Sequence, residues 1–321
     1  MIANLSEVSV LTFQAINVSL LVSSFACSRE LLGKPSDAMA ECFGKMLKNK
    51  GELGILVLGF NRPDHLGAVL ESLGRQKALD RAHVWIDGTQ GRGEYQGKNE
   101  QSIQVAQSFD VRDSRVIRGH LGIEKLMLDA LDEMSALYPR VLVFEDDCFP
   151  LANCVEQFET ALAEVVDADD IFSVYGHHFG LEPVGTQKFP RFQGWGWAAH
   201  SDRIAAMLPE LRALFMMSEQ AYLNHIHANI NPDIEARLDV TPGRNVLKVL
   251  QLFFSWDSAT SFLCAQKRLS HWRTRKPVVA NTGIHKGTGH FQDDAPGLRA
   301  PPFNMIQLEE AWDHYERSRL T

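Results

Sequence analysis

Short, unbroken apolar runs alternate with amphipathic stretches through the first half of the chain. Residues 53–60 are almost wholly apolar and rich in branched side chains, which is typical of a strand buried on both faces. Shorter apolar runs at 83–86, 140–144 and 171–175 predict three further strands, and 114–117 predicts a short fourth one. Between them, apolar residues at helical spacing predict helices that begin at Pro63 and at about residues 102, 122 and 153.

This alternation of strands and helices predicts an α/β fold with an open, mostly parallel, Rossmann-like sheet flanked by helices. The glycine-rich residues 89–100 predict a flexible surface loop. The second half is more irregular: an aromatic, glycine-rich segment at 189–199 precedes predicted helices at 202–215 and within 251–267, and a candidate strand at 277–279.

The first fifty residues differ in texture from the rest, and we treat them as an N-terminal extension of unknown role. Val8 to Ser28 carries no charge, but polar residues interrupt it and no Lys or Arg precedes it, so it predicts neither a spanning helix nor a signal peptide. The remaining domain, 51–321, divides into halves at 51–180 and 181–321.

Charge and cysteine content narrow the class of protein. The formal net charge is -8 and the basic residues do not cluster, which argues against a nucleic-acid partner. An anionic substrate must then be met locally, by a metal ion or a few placed cations. The five cysteines are odd in number and form no C-x-x-C pair, which favours reduced thiols and a cytoplasmic location. Peripheral association with the inner membrane is left open.

Polar residues follow three of the predicted strands. Arg62, Asp87 and the run Glu145-Asp146-Asp147 all come directly after a strand, and parallel strands bring their carboxyl ends to one crevice. Three consecutive carboxylates at that position are electrostatically costly unless a cation neutralises them. Hard divalent ions commonly bridge such carboxylates to substrate phosphates. A solvated acidic turn would have the same sequence, so both interpretations stay open at this point.

The order of the motifs resembles a known family. A strand ending in Glu-Asp-Asp, the later Gly194-Trp195-Gly196-Trp197, the pair Trp256-Asp257 and a terminal Gly-x-x-His-like stretch are similar to the family of N-acetylglucosaminyltransferase I and its bacterial relatives, over roughly residues 53–291. Those proteins are inverting glycosyltransferases of the GT-A type. The resemblance implies a nucleotide-sugar half at 51–180 and an acceptor half at 181–321.

The resemblance also implies roles for individual residues. It makes Asp147 the ligand of a Mn²⁺ (or Mg²⁺) ion that bridges the diphosphate, gives Glu145 a supporting role, and makes Asp257 the catalytic base. For the donor it implies contacts from Arg62, Asp87, Lys125, Asp146, Trp195, Trp197 and His290. Ser258 departs from the pattern, because the family often has a second acid after the Trp-Asp pair.

Each of these residues also has an ordinary structural interpretation. Asp257 would suit a helix N-cap, and the paired tryptophans would suit the core. Their functional roles are nevertheless chemically coherent: a carboxylate can accept the proton of an attacking hydroxyl, and indole faces pack on sugar rings.

The sequence therefore predicts a metal-dependent, inverting glycosyltransferase. Its donor would be a nucleotide sugar (a UDP-sugar is favoured), and its acceptor a hydroxyl on a glycan or glycolipid, as in polysaccharide biosynthesis. One alternative is a nucleotidyltransferase of similar fold, although residues 59–63 lack the glycine-rich, basic loop that those enzymes use for triphosphate. A catalytically inactive sugar-binding relative is the other.

Overall fold

The computed structural model describes residues 52–180, 182, 184–240, 252–284 and 296–319. The predicted role of His290 and that of the N-terminal extension lie outside these residues. In the first half the elements are β1 (Leu53–Gly59), α1 (Pro63–Arg75), β2 (Ala82–Ile86), α2 (Gln96–Ser108), β3 (Asp113–Val116), α3 (Ile123–Leu137) and β4 (Arg140–Glu145). Strands and helices alternate there as the hydrophobic pattern predicts.

The second half contains shorter strands and more helices. Its elements are β5 (Cys148–Pro150), α4 (Cys154–Glu164), β6 (Ile171–Tyr175), β7 (Lys188–Phe189), β8 (Trp197–His200), α5 (Ser201–Phe215), α6 (Glu219–Asn229), α7 (Pro232–Leu238), α8 (Trp256–Gln266), β9 (Ser270–Arg273), β10 (Val279–Asn281) and α9 (Leu308–Arg319). Single 3-10 turns lie at Leu79–Arg81, Gly93–Tyr95 and Pro296–Arg299.

Eight strands form one sheet in the order β3-β2-β1-β4-β8-β6-β9-β7. β3, β2, β1 and β4 are parallel neighbours, and β6 is parallel to β9, whereas β8 and β7 are antiparallel to their neighbours. The prediction of an α/β fold with a mostly parallel sheet flanked by helices is confirmed. β5 and β10 form a separate antiparallel pair beside β4.

The central strands are buried on both faces. Every residue of β1, β2 and β6 is buried, as the unbroken apolar runs predict. One large apolar cluster lies between the sheet and helices α3, α5 and α8, and a second lies between the sheet and helices α1 and α4. Because both faces are covered, substrate access is left to the edge where the strands end.

The predicted loop at 89–100 is only partly a loop. A 3-10 turn occupies Gly93–Tyr95 and α2 already begins at Gln96, six residues before the predicted start. The face that α2 buries consists of Asn99, Ser102 and Ala106, so it lacks the large apolar residues that reveal an amphipathic helix. None of the helices in the described ranges is both long and apolar enough to cross a membrane.

Candidate active site

The carboxyl ends of β1, β2 and β4 meet at one crevice. β1 lies between the other two in parallel register, with Gly59 opposite Ile86 and Leu58 opposite Glu145. The chain that follows each strand therefore reaches the same edge. Asn99 ties two of these ends together, because its side-chain amide donates to the carbonyl of Phe60 at 2.7 Å and to the carbonyl of Asp87 at 2.8 Å.

Arg62 joins the two aspartates that follow β4. One guanidinium nitrogen, Nη1, contacts Asp147 Oδ2 at 2.6 Å, and the other, Nη2, forms an ion pair with Asp146 Oδ1. Burial lowers the pKa of Arg62, but the two carboxylates outweigh burial and raise it above its ordinary value, so the guanidinium stays charged. The predicted convergence of Arg62 with the acidic run is thus observed.

Asp146 and Asp147 have unequal surroundings. Asp146 is buried, and its second oxygen also accepts the backbone N–H of Phe60 at 3.4 Å. The side chain of Asp147 is 16% exposed, and its Oδ1 accepts a long 3.6 Å contact from the buried thiol of Cys148. Burial raises the pKa of that thiol well above its ordinary value, which fits a packing role for Cys148.

The chain after β10 closes the other side of Asp147. The backbone N–H and hydroxyl of Thr282 donate to the carbonyl of Asp147 at 2.8 and 3.0 Å. Gly283 comes so close that a Cβ placed on it would lie 2.7 Å from Asp147 Oδ2. His65 Nε2 donates to the carbonyl of Thr282 at 2.9 Å and holds this segment against α1. No sequence pattern singles out His65, Thr282 and Gly283, because only a tertiary contact relates them to the acidic run.

Glu145 is half-buried at the end of β4. Burial raises the pKa of its carboxyl to about 8, with Asp147 and Asp257 adding to the rise and Arg62 opposing it. Asp257 lies on α8, whose first turn packs against Gly194, and Gly194 shortly precedes the strand β8 that pairs with β4. A carboxyl group with a pKa near 8 is largely protonated at neutral pH.

Asp257 lies on the first turn of α8. Ser255, not Asp257, is the N-cap, since its hydroxyl oxygen accepts the N–H of Ser258 at 3.4 Å. The Ser255 hydroxyl also donates to Asp257 Oδ1 at 2.5 Å. Asp257 is exposed, although the stretch before it is largely apolar in sequence. The N-cap alternative for Asp257 is therefore wrong, and one of its oxygens is oriented by a neighbour.

The two tryptophans of the Gly-Trp-Gly-Trp motif have different environments. Trp195 is half-buried, stacks on Phe179 with ring centroids 5.2 Å apart, and lies edge-on to His177. Trp197 is 1% exposed and stacks between core rings, with its Nε1 lacking a partner among the described residues. Gly196 has a φ of +68°, which breaks the strand pattern so that the two indoles do not share a face.

This burial corrects one sequence prediction. A ring that is 1% exposed has no open face for a sugar, so Trp197 does not fit the predicted donor contact and occupies the core instead. The motif still reaches the site through Gly194, because a Cβ built there would lie 3.1 Å from the ring of Trp256 and 3.4 Å from the Cβ of Asp257. The structure thus brings the Gly-Trp and Trp-Asp segments together.

Asp87 is buried, and both of its carboxylate oxygens accept hydrogen bonds from the backbone. Oδ1 accepts the N–H groups of Gly88 and Leu121 at 3.0 and 2.9 Å, and Oδ2 accepts that of Gly122 at 3.0 Å. His120 Nδ1 lies 2.8 Å from Oδ2. Asp87 therefore shapes the loop before α3, a role that sequence position alone does not reveal.

Lys125 follows on the first turn of α3 and is exposed. In the part of the chain that the structure describes, it forms no ion pair, so its ammonium group is available to an anion that enters beside the 119–122 loop. No three His, Cys, Asp or Glu side chains among the described residues form a group that could hold a metal unaided. An ion at Asp147 would need further ligands from a bound substrate.

Fold and site together define an α/β protein with a carboxylate-lined crevice at the ends of its parallel strands. No protein-family model and no curated protein matches the chain. Solved structures similar to it include mannose-1-phosphate geranyltransferase from Thermus thermophilus, at 15% identity over 76% of this chain and 80% of that one, with a TM-score of 0.40.

Two further solved structures are similar to the chain. S. aureus TarS 1-349 is 14% identical over 71% of this chain and 59% of its own, with a TM-score of 0.39. The mannosyltransferase PcManGT from Pyrobaculum calidifontis, in complex with GDP-Man and Mn²⁺, is 14% identical over 58% and 55%, with a TM-score of 0.35. With TM-scores below 0.5, these likenesses assign no function, and the resemblance to the N-acetylglucosaminyltransferase I family stays a prediction.

Proposed function

We propose that this chain is a metal-dependent glycosyltransferase of the GT-A type that transfers a sugar, with inversion, from a nucleotide donor to a hydroxyl acceptor. The observation that carries the proposal is the pairing of two differently placed carboxylates in one crevice. Asp147 lies at the ends of the parallel strands beside Arg62, and Asp257 lies on α8 against Gly194, which shortly precedes the strand β8 that pairs with β4. An inverting transfer needs one group for the diphosphate and one for the acceptor.

The surroundings of Asp147 suit a hard divalent ion. Its carboxylate is partly exposed at the crevice, and Gly283 beside it has no side chain to fill the space next to Oδ2. Such ions are held in phosphate-binding sites by one or two carboxylates and complete their shell with substrate phosphates and water. A bound Mn²⁺ or Mg²⁺ would neutralise charge on the leaving diphosphate.

The chain's own residues supply the remaining steps. Arg62 and Lys125 offer positive charge to the diphosphate, and Asp146 fixes the position of Arg62. Asp257 accepts the proton of the acceptor hydroxyl, and Ser255 orients it. The acceptor oxygen then bonds to the anomeric carbon, the bond from that carbon to the phosphate oxygen breaks, and the nucleoside diphosphate leaves with the electron pair.

A donor screen tests this proposal. Thermal unfolding and calorimetry with UDP- and GDP-sugars, with and without Mn²⁺, should identify a donor that raises the unfolding temperature only when the metal is present. Asp147→Asn should abolish that metal dependence. Asp257→Asn should bind the donor normally and slow turnover by roughly 10²–10⁴, the usual contribution of a general base. Asp110→Asn, at an exposed position outside the crevice, is the matched control.

The products separate the competing classes. A glycosyltransferase releases nucleoside diphosphate from a nucleotide sugar, whereas a nucleotidyltransferase releases pyrophosphate from a nucleoside triphosphate. Donor binding without any turnover would favour an inactive sugar-binding relative. If no nucleotide sugar binds and Asp147→Asn changes nothing, the proposal is wrong. The proposal also includes a glycan or glycolipid acceptor and a role in polysaccharide biosynthesis. An acceptor screen would test both.

A further inference from the structure

Arg62 contacts both aspartates that follow β4, Asp146 and Asp147, with one guanidinium group. Nη1 contacts Asp147 Oδ2 at 2.6 Å and Nη2 pairs with Asp146 Oδ1, while the three side chains are 15%, 16% and 4% exposed in the order Arg62, Asp147, Asp146. Each contact is charge-assisted, which is the stronger kind of hydrogen bond, and the guanidinium group bridges the two carboxylates. The pair of acids is therefore already neutralised in part by the protein itself.

Arg62 holds one of the two oxygens through which Asp147 could bind a metal. Oδ2 of Asp147 bonds to Nη1, and Oδ1 faces the Cys148 thiol at 3.6 Å. The backbone at Gly283 closes in on Oδ2 from the other side. A divalent ion needs oxygen ligands at about 2.0–2.2 Å, and a guanidinium group bonded to the same oxygen would repel it.

We infer that Arg62 and the divalent ion compete for Asp147, so that the arginine is the resting counter-ion of the site and must release Asp147 when metal and donor bind. This inference rests on the proposed function, because it takes Asp147 as the metal ligand. The donor provides the exchange: its diphosphate gives the displaced guanidinium a new anionic partner. Mutual dependence of metal and nucleotide is then a property of this arginine.

Formal charges support the exchange. Arg62 and the two aspartates together carry a net charge of minus one. Adding a divalent ion alone turns this to plus one, with two cations side by side in a partly buried place. A diphosphate restores minus one. Metal and nucleotide should therefore bind better together than either binds alone, with a reciprocal coupling between them.

Metal binding without activity tests the inference. Mn²⁺ is titrated into the full-length chain, and free Mn²⁺ is followed by electron paramagnetic resonance, first without nucleotide and then with saturating UDP or GDP. Arg62→Met, which removes the charge, should bind Mn²⁺ alone roughly tenfold or more tightly than wild type, since a charge-assisted competitor has gone. Arg62→Lys, which keeps the charge, should stay close to wild type.

Two further measurements make the result decisive. Combining Arg62→Met with Asp147→Asn should remove the gain in Mn²⁺ affinity, which would assign that gain to Asp147. The nucleoside diphosphate should tighten Mn²⁺ binding in wild type by a larger factor than in Arg62→Met. Arg62→Gln, which keeps a hydrogen-bond donor without the charge, serves if the methionine variant does not fold, and circular dichroism reports folding for all variants.

The outcomes separate the inference from the proposed function. If a folded Arg62→Met or Arg62→Gln binds Mn²⁺ alone no more tightly than wild type, competition is refuted, while metal-dependent donor binding by wild type would leave the proposed function standing. If wild type binds no Mn²⁺ with any nucleotide sugar, the proposed function fails as well.

Discussion

The buried carboxylate of Asp87 offers a quantitative test of how the crevice is built. It accepts backbone N–H groups from Gly88, Leu121 and Gly122 at 2.9–3.0 Å and lies 2.8 Å from His120. Asp87→Asn changes almost no volume, but it replaces one accepting oxygen by an NH₂ group. With Oδ1 kept as the oxygen, the new amide would point its hydrogens at the N–H of Gly122.

The cost follows from those contacts. A hydrogen bond to a charged group contributes about 1.5–3 kcal/mol, and a buried donor left unpaired costs about 1–3 kcal/mol. Losing one such bond, with relaxation of the loop, gives an expected destabilisation of about 2–3 kcal/mol. For a domain of this size, that should lower the unfolding temperature by roughly 5–10 °C.

Urea unfolding and calorimetry of Asp87→Asn measure this loss, and Asp110→Asn should differ from wild type by less than about 0.5 kcal/mol. Donor affinity is measured at a temperature where both variants are folded. If Asp87→Asn is as stable as wild type but loses nucleotide binding, the carboxylate contacts the donor directly, as the family resemblance implies. The positioning role inferred from its hydrogen bonds is then refuted.

Two further predictions concern the site and acid stability. Gly283→Ala, whose Cβ would lie 2.7 Å from Asp147 Oδ2, should weaken Mn²⁺-dependent donor binding by roughly tenfold in titration calorimetry, whereas Gly97→Ala, with open space around its Cβ, should leave it unchanged. Burial lowers the pKa of His271 to about 3 and that of His178 to about 4. At these two positions the unfolded chain takes up protons below about pH 6.5, whereas the folded chain takes them up only near pH 3–4. The free energy of unfolding should therefore fall as pH drops from about 6.5 towards 4, and His271→Gln should flatten the fall in urea midpoints; an unchanged slope would contradict this.

The strands that frame the crevice could be predicted, because burial on both faces leaves unbroken apolar runs in the sequence. β8 could not. It is four residues long and lies antiparallel between β4 and β6, a pairing that no local pattern specifies. The same limit applies to Trp197: composition cannot show that Gly196 turns the chain and sends this indole into the core.

Helices α6 and α7, which the hydrophobic pattern did not predict, do have start signals in the sequence. Helix α6 begins after Ser218, whose hydroxyl accepts the N–H of Ala221, and α7 begins after Asn231 with Pro232 at its first position. Both are ordinary start signals for helices. The face that α2 buries, by contrast, is polar or small, and Asn99 acquires its role only by bonding to two strand ends that the fold brings together.

The carboxylates of the crevice differ in how many of their oxygens the protein already uses, and this limits what each can do. Asp87 and Asp146 are buried with both oxygens bonded, so either could serve a ligand only by giving up contacts of about 1.5–3 kcal/mol each. Asp147 is bonded mainly through one exchangeable arginine, and Asp257 is exposed with one oriented oxygen. We therefore expect the chemistry to involve Asp147 and Asp257, which lie on different elements. Asp87 and Asp146, whose oxygens are all bonded, hold the surrounding groups of the crevice in place.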